Sequence, residues 1–342
     1  MDRQIDVKKI HKIVLDIYKE IKKICEDNGL RFFAISGTTI GAVFWKGIIP
    51  WDDDIDIALP AEDYTKFVDL CKKNKALSKH LHFTEYIWFG GKVHDDRTMF
   101  TNVYYLNNPK TYTGVSIDVV PLIGLPEDEG RQKEFVKDLI DFHKKAVLFE
   151  RYGILKGYSN KKELLEKRDY FFKTYKFGTT SKVMDFSDHR YVLEAKGFLE
   201  PVVMDFEDTT IWVSSNYEQD LNTQYKNLQK NPPKERKASI HQKLSIINLQ
   251  KSYLEYAKEL NESPNSIKNI IDIMHFFEGF CEDGIFYRDE IIDKLTEDYN
   301  RLFEENGQLK KRIIDLESRI KPSRWQNVKA KFSKLCGSSS KS

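Results

Sequence analysis

Four aspartates stand within five positions of the sequence, between two apolar runs, and they have the clearest potential for chemistry. They are Asp52, Asp53, Asp54 and Asp56, in the stretch IIPWDDDIDIALP. From Asp54 onward, acidic and apolar residues alternate with period two, which predicts a strand carrying Asp54 and Asp56 on one face. Such neighbours lie about 6.5 Å apart, so two ionised carboxylates repel each other unless a cation lies between them.

A divalent metal ion would relieve this repulsion. Mg²⁺, or Mn²⁺ in its place, takes oxygen ligands, commonly one or two carboxylates together with phosphate oxygens and water. An ion bound in this way can neutralise the charge of a phosphoryl group during its transfer. The alternative interpretation is an exposed acidic turn with no ligand role.

A third carboxylate with the same potential is Asp118, in the β-branched run VSIDVVP. A lone charge inside an apolar strand is costly unless something compensates it. We therefore expect Asp118 to lie on a strand adjacent to that of Asp54 and Asp56, and to be the third ligand of the metal. The alternative is a buried Asp118 that pairs with a lysine or an arginine.

A small polar turn precedes the acidic stretch. Ser36, Gly37 and Thr38 follow the strand-like run 31–35 and lead into the apolar, helix-like run 40–44. A strand, a turn and a helix in this order present backbone N–H groups at a helix N-terminus, which is a favourable place for an anion. The combination predicts a nucleotidyltransferase-type site, in which the turn holds phosphates and the carboxylates hold a metal.

The segment GTTIGAVFWKGIIPWDDDIDIALP resembles the signature of the LicD family, whose members are related to fukutin-related protein. Further stretches match the family in the same order: GGKVHDDRT, SIDVVPLIGLP, FEDTTIWVSSNYEQDL and QYKNLQKNPPKERKASIH. The resemblance covers residues 8–241 and implies an α+β fold, a nucleotidyltransferase-like mixed sheet with flanking helices. It also implies transfer of a phospho-alcohol from a CDP-activated donor to a hydroxyl of a cell-surface glycan or glycolipid precursor.

The resemblance further implies roles for individual residues. Asp54, Asp56 and Asp118 are the expected metal ligands, and Asp52 or Asp54 is expected to accept the proton of the attacking hydroxyl. The residues expected to bind the donor are Ser36, Gly37, Thr38, Lys46 and Lys92. For Lys92 the alternative is a solvated position on the surface.

The sequence departs from the family pattern around the donor. Phe44 and Trp45 replace a common Arg-His pair, and His94 stands where an arginine is frequent. The identity of the alcohol therefore does not follow from the resemblance. Two other functions are compatible with the sequence: a nucleotidyltransferase that releases pyrophosphate, and a non-catalytic coiled-coil scaffold.

Composition limits the partners and the location. The chain has 55 basic and 53 acidic residues and a net charge of +2, so it lacks the basic field that attracts nucleic acid. Its four cysteines form no CxxC pair, which argues against a zinc site or a disulfide framework. Because the N-terminus has no signal-peptide core and no apolar run reaches about eighteen residues, we expect a cytoplasmic protein.

Local patterns predict individual elements. Apolar residues from 7 to 25 recur every three or four positions, which predicts an amphipathic helix. The run 61–73 predicts another helix with Asp63 as a cap, and residues 82–105 predict a pair of strands. The stretch 131–195 is charged and predicted to be helical, and no residue in it stands out as functional.

We predict four segments along the chain. Residues 1–241 form the catalytic domain, and 242–284 form a helical extension. Apolar residues at 285–320 follow heptad spacing with Asn306 at an a position, which predicts a coiled-coil homodimer; the alternative is a helix folded back onto its own domain. The basic tail 321–342 carries an apolar stripe that favours peripheral contact with the inner face of the plasma membrane, the alternative being a disordered tail.

Overall fold

The computed structural model describes residues 7–73, 76–102, 113–225, 228 and 245–262. The helices are α1 (Val7–Asp27), α2 (Ser36–Trp45), α3 (Ala61–Lys73), α4 (Glu129–Tyr152), α5 (Lys161–Thr174), α6 (Ala195–Leu199), α7 (Tyr217–Gln224) and α8 (Tyr253–Glu262). The strands are β1 (Phe33–Ala34), β2 (Asp56–Pro60), β3 (Leu81–Tyr86), β4 (Gly90–Asp95), β5 (Met99–Asn102), β6 (Ser116–Gly124), β7 (Lys182–Asp185), β8 (Leu193–Glu194), β9 (Val202–Phe206), β10 (Thr209–Val213) and β11 (Ser245–Asn248). These elements form an α+β fold, as predicted.

The main sheet has seven strands, five of which pair in the order β1-β2-β6-β4-β3. β2 and β6 run parallel, whereas the other neighbouring pairs are antiparallel, so the sheet is mixed. Because β2 covers one edge of β6, the other edge pairs first with β4 and then, further along, with β7. β8 follows next to β7, and two smaller sheets join β9 to β10 and β11 to β5.

Helix α1 belongs to the core beneath this sheet. Its buried residues recur at three- and four-residue steps and form one apolar stripe, which includes Ile10, Val14, Ile17, Ile21 and Cys25. The apolar side chains of β2 and β6 that point to the same core include Ile57 and Val119. Burying one such side chain contributes about 1.5–3 kcal/mol. The helix predicted at this position is therefore confirmed, and its role is packing.

Three stretches differ from the predictions. β2 begins at Asp56, so Asp54 precedes the strand instead of lying within it. The stretch 131–195 contains β7 and β8 after its two long helices, because β7 completes the edge of β6. In the predicted helical extension, residues 245–248 form β11 beside β5 before α8 begins. In the last two cases a strand forms by pairing with a distant segment, which a local pattern does not reveal.

Two predicted segments, the coiled coil at 285–320 and the basic tail at 321–342, lie outside the described residues. Most of the family-like stretch at 224–241 also lies outside them. Among the helices of the described part, none is both long and apolar enough to cross a membrane.

Candidate active site

The first turn of α2 forms one wall of the site. Ser36, Gly37 and Thr38 belong to the helix itself, so the predicted turn is the helix N-terminus rather than a loop before it. Ile35 is the N-cap residue, and its apolar side chain makes no capping hydrogen bond. The first N–H groups of a helix lack partners within the helix, so this end of α2 has the arrangement that binds anions.

Thr38 connects this turn to the acidic strand. Its hydroxyl oxygen accepts a hydrogen bond from the backbone N–H of Asp56 at 2.7 Å. The backbone N–H of Ile35 also donates to the carbonyl oxygen of Asp56, at 3.3 Å. These two bonds fix the start of β2 against the N-terminus of α2.

Asp56 and Asp118 occupy paired positions on the parallel strands β2 and β6. Neighbouring strands lie about 4.8 Å apart, and paired residues point to the same face of the sheet. Burial, followed by the charges of Asp54, Asp118 and Asp52, raises the pKa of Asp56 well above its ordinary value. The adjacent-strand position expected for Asp118 is therefore observed, and Asp54 lies near Asp56 although it precedes the strand.

Asp52, Asp53 and Asp54 form a group of carboxylates directly ahead of β2. One oxygen of each lies within 4.8 Å of the others. Asp53 is buried and was not predicted as a site residue, whereas Asp52 and Asp54 are partly exposed. A Cβ atom on Gly37 would lie 3.1 Å from Oδ2 of Asp52, so this carboxylate lies against the first turn of α2.

The carboxylates of this region fit a magnesium or manganese ion, although the three whose oxygens lie within 4.8 Å of one another are Asp52, Asp53 and Asp54, not the predicted set of Asp54, Asp56 and Asp118. Each offers carboxylate oxygens, which are the ligands that such ions prefer. The pKa of Asp56 is raised by burial and by three like charges, so the surrounding protein does not fully compensate the negative charge. A divalent cation is the natural counter-charge for this arrangement.

Lys92 lies on β4, directly opposite Asp118 on β6. Its ammonium group forms an ion pair with Oδ1 of Asp118 and lies 5.3 Å from the centre of the Phe89 ring. The structure therefore places Lys92 within a strand at the carboxylate group, rather than at a turn in solvent. In this position it balances part of the negative charge.

Lys46 is the other lysine expected at the donor. It follows the last turn of α2 in a left-handed conformation, with φ of 54°. Its ammonium group lies 3.1 Å from Oδ2 of Asp205 on β9, and its side chain is 75% exposed. The structure thus directs Lys46 to the surface of the β9–β10 pair and does not bring it to the carboxylates.

Tyr225 is a site residue that the pattern analysis missed. Its hydroxyl group lies close enough to the side chain of Ser36 for Ser36 to act against the rise in its pKa. Burial and the nearby charges of Asp56 and Asp52 raise the pKa of Tyr225 to about 12. It follows α7, and packing between α7 and α2, centred on Leu221, brings it to this place. The sequence feature that could have identified Tyr225 is its position in the family-like stretch that begins QYKN.

Comparisons with known proteins are consistent with this geometry. Residues 29–154 match the family model described as LicD/FKTN/FKRP, nucleotidyltransferase domain. Over 260 residues the chain is 23% identical to the lipopolysaccharide cholinephosphotransferase LicD of Haemophilus influenzae, covering 67% of this chain and 93% of that protein. It is also 29% identical over 111 residues to an uncharacterised protein of Rickettsia typhi, covering 30% of this chain and 36% of that relative.

The mixed sheet, the helix N-terminus and the grouped carboxylates agree with the nucleotidyltransferase domain that the matching family model describes. Over this part of its length the chain is similar to proteins of the LicD family. The range matched by the family model contains α2, the four clustered aspartates, Lys92 and Asp118. Tyr225 and the segment between β7 and β8 lie beyond that range.

Proposed function

We propose that this protein is a magnesium-dependent phosphotransferase that moves a phospho-alcohol from a CDP-activated donor to a hydroxyl of a lipopolysaccharide or other cell-surface glycan precursor. The observation that carries the proposal is the group of carboxylates around Asp56, next to the N-terminus of α2. Phosphoryl transfer depends mainly on positioning and charge neutralisation, which these two features supply. Similarity to a lipopolysaccharide cholinephosphotransferase supports the substrate class.

In this proposal Asp54, Asp56 and Asp118 hold Mg²⁺, which when bound supplies charge neutralisation for the phosphoryl group. The first turn of α2 binds the donor phosphates through its backbone N–H groups. Asp52, which lies against that turn at Gly37, accepts the proton of the attacking hydroxyl. The bond from the transferred phosphorus to the acceptor oxygen forms, the bond to the CMP oxygen breaks, and CMP leaves.

A nucleotidyltransferase is the second candidate, and the description of the matching family model favours it. The same residues would then transfer a nucleotidyl group and release pyrophosphate. A non-catalytic scaffold is disfavoured by the surroundings of Asp56. A protein with no use for these carboxylates would gain stability by losing some of their mutual repulsion.

Product analysis distinguishes the two enzymes. Purified protein with Mg²⁺ is incubated with a lipopolysaccharide precursor and CDP-choline, CDP-glycerol or CDP-ribitol, and the nucleotides are separated by liquid chromatography. We expect CMP to accumulate with one of these donors when the acceptor is present. Pyrophosphate release from CTP, with no CMP from any of the three donors, would contradict the proposal.

A thermal-shift screen of the same donors with Mg²⁺ identifies the alcohol without an acceptor. A donor present at a hundred times its Kd should stabilise the protein by about 2.7 kcal/mol. The variant Asp56→Asn is the control, since it should lose most of this stabilisation while remaining folded.

A further inference from the structure

The segment between β7 and β8 contains Arg190 and begins where β7 runs along β6 toward Asp118. β7 runs antiparallel to β6, from a position opposite Gly124 to one opposite Leu122. The backbone N–H of Phe186 then donates to the carbonyl oxygen of Pro121 at 2.9 Å, one position further in the same direction. The chain is therefore heading toward the Asp118 half of β6 when it enters the loop.

This loop, residues 187–192, holds Arg190 in a defined position. Asp188 accepts hydrogen bonds from Nε and Nη2 of Arg190, at 2.8 and 2.7 Å. The ring of Tyr191 lies 5.2 Å from the guanidinium carbon. At the start of the loop, Asp185 accepts bonds from the backbone N–H and the hydroxyl of Ser187, at 2.7 and 2.8 Å. Such internal bonding presents the guanidinium group with little freedom left to lose on binding a ligand.

Tyr225 links the loop to the carboxylates. The charge of Arg190 is within electrostatic range of Tyr225 and Tyr191. Tyr225 is in turn within range of Asp56 and Asp52, and its hydroxyl group lies close to the side chain of Ser36 in the first turn of α2. Leu193, directly after the loop, packs in one apolar cluster with Ile35, the N-cap residue of α2, so the loop returns to the sheet beside this wall of the site. The Arg190 side chain is 69% exposed and accessible to a ligand.

Charge balance shows what kind of ligand this arginine suits. A guanidinium group has donors on three nitrogens, and Asp188 uses Nε and Nη2. In the described part of the chain, no acceptor is bonded to Nη1 of Arg190. The lysines expected at the donor are otherwise engaged, since Lys46 pairs with Asp205 and Lys92 pairs with Asp118. Arg190 therefore keeps a donor that could bind a phosphate oxygen, which the two paired lysines do not offer as readily.

We propose that Arg190 binds a phosphate group of the nucleotide-linked donor, at the rim of the carboxylate site beside Tyr225. This inference rests on the proposed function for the identity of the donor. Guanidinium groups form strong, charge-assisted hydrogen bonds to phosphate oxygens, and they stabilise the charge that develops during phosphoryl transfer. Arg190 lies outside the range matched by the family model, in a stretch that sequence patterns left without a role.

The chain offers a matched control in Arg97. Asp95 and Arg97 repeat the spacing of Asp188 and Arg190, and Nε of Arg97 donates to Oδ1 of Asp95 at 2.9 Å. The Arg97 side chain is 63% exposed, close to the value for Arg190. The carboxylates whose charges act on Arg97 are Asp95, Asp96 and Asp16, none of which belongs to the site.

The test measures Kd for CDP, CTP and inorganic pyrophosphate by calorimetry in the presence of Mg²⁺. Arg190→Ala should weaken CDP binding by about tenfold to a hundredfold, the scale of one hydrogen bond to a charged group. The Kd of Arg190→Lys for CDP should lie between those of wild type and Arg190→Ala, because lysine keeps the positive charge but lacks the several N–H donors of a guanidinium group. Arg97→Ala should bind CDP within twofold of wild type, although it leaves the buried Asp95 without its cation and should melt at a lower temperature.

Two results would overturn the inference. One is CDP binding within twofold of wild type in both Arg190 variants, and the other is a wild-type protein that binds none of the three probes. Failure of the proposed function looks different. If the wild type binds CTP and releases pyrophosphate from it, and Arg190→Ala weakens CTP binding, the arginine's role stands while the phosphotransferase proposal falls.

Discussion

Asp63 and Asp56 are two acidic residues of the same stretch of chain with opposite electrostatic surroundings. Burial alone would raise the pKa of Asp63, which is 2% exposed, but hydrogen bonds from Arg31 and Lys66 outweigh burial and hold its pKa below the ordinary value. Nε of Arg31 lies 2.6 Å and Nζ of Lys66 lies 3.1 Å from its carboxylate oxygens. Around Asp56, burial and three further carboxylates act together and raise its pKa.

The difference separates a carboxylate that stabilises the fold from one whose charge is not fully compensated by the residues around it. Asp63 has its counter-charges within the protein, so its energetic role is complete without any added ion. Lys92 lowers the pKa of Asp56, but its effect is smaller than that of the neighbouring acids and does not offset them. Perturbed groups of this second kind collect at functional sites, whereas paired groups of the first kind occur throughout structures.

Substitution of the clustered carboxylates should have the largest effect on activity. Asp54→Asn, Asp56→Asn and Asp118→Asn should each lower turnover in saturating Mg²⁺ by about a hundredfold to a thousandfold, because each removes a proposed ligand of the metal ion that would neutralise the phosphoryl group. Asp54→Asn and Asp56→Asn should leave the metal-free protein at least as stable as wild type, since they relieve repulsion. Steady-state kinetics and thermal melts check both statements, and near-normal turnover in any variant would exclude that residue as a ligand.

Asp63→Asn should lower stability and leave turnover unaltered, the reverse of the substitutions at the site. The free energy of unfolding should fall by about 1–3 kcal/mol, because the variant loses charged hydrogen bonds from Arg31 and Lys66. The loss stays below that of a fully buried ion pair, since the Arg31 side chain is 43% exposed and regains water. Urea denaturation measures the change, and turnover per folded molecule should be unaltered. A stability equal to wild type would show that these ion pairs contribute nothing to the fold.

Glu150 lies between Asp63 and Asp56 in its surroundings, since it is buried with one hydrogen-bond donor, and pH can test its effect on stability. Burial raises its pKa from 4.5 to about 7, although its carboxylate accepts a hydrogen bond from the backbone N–H of Ile87 at 2.8 Å. Between these pH values the folded protein binds more protons at this group than the unfolded chain does. The protonated Glu150 therefore contributes fully to the free energy of unfolding below pH 4.5. This contribution is lost as pH rises through about 7, and the free energy of unfolding falls by roughly 3 kcal/mol at most.

Glu150→Gln should flatten that part of the pH dependence, since glutamine keeps the acceptor for Ile87 without the charge. Chemical denaturation at several pH values between 4.5 and 8 measures the slope. Glu134→Gln, an exposed position on the same helix, is the control and should follow wild type. An identical slope in all three proteins would mean that Glu150 does not titrate in this window.

Several features could be predicted from the sequence by itself, because they depend on local pattern and on the cost of burying charge. The apolar spacing of residues 7–25 required a packed helix, and the helix α1 is observed there. Asp118 in a β-branched run required a compensating neighbour, and the structure pairs it with Lys92, as the alternative interpretation of Asp118 predicted. The role of Asp54, Asp56 and Asp118 as metal ligands stays a prediction.

Tertiary structure alone decided which distant residues reach the carboxylates. Of the two lysines expected at the donor, Lys92 lies at the carboxylates and pairs with Asp118, whereas Lys46 pairs with Asp205 elsewhere on the surface. Tyr225 comes to the site through packing of α7 against α2, and the position of the loop with Arg190 follows from the direction of β7; neither feature leaves a periodic signal in the sequence. The physical reason is that residues near one another in the chain determine the apolar period and the cost of burying a charge. Strand register and loop position instead depend on packing across the whole fold.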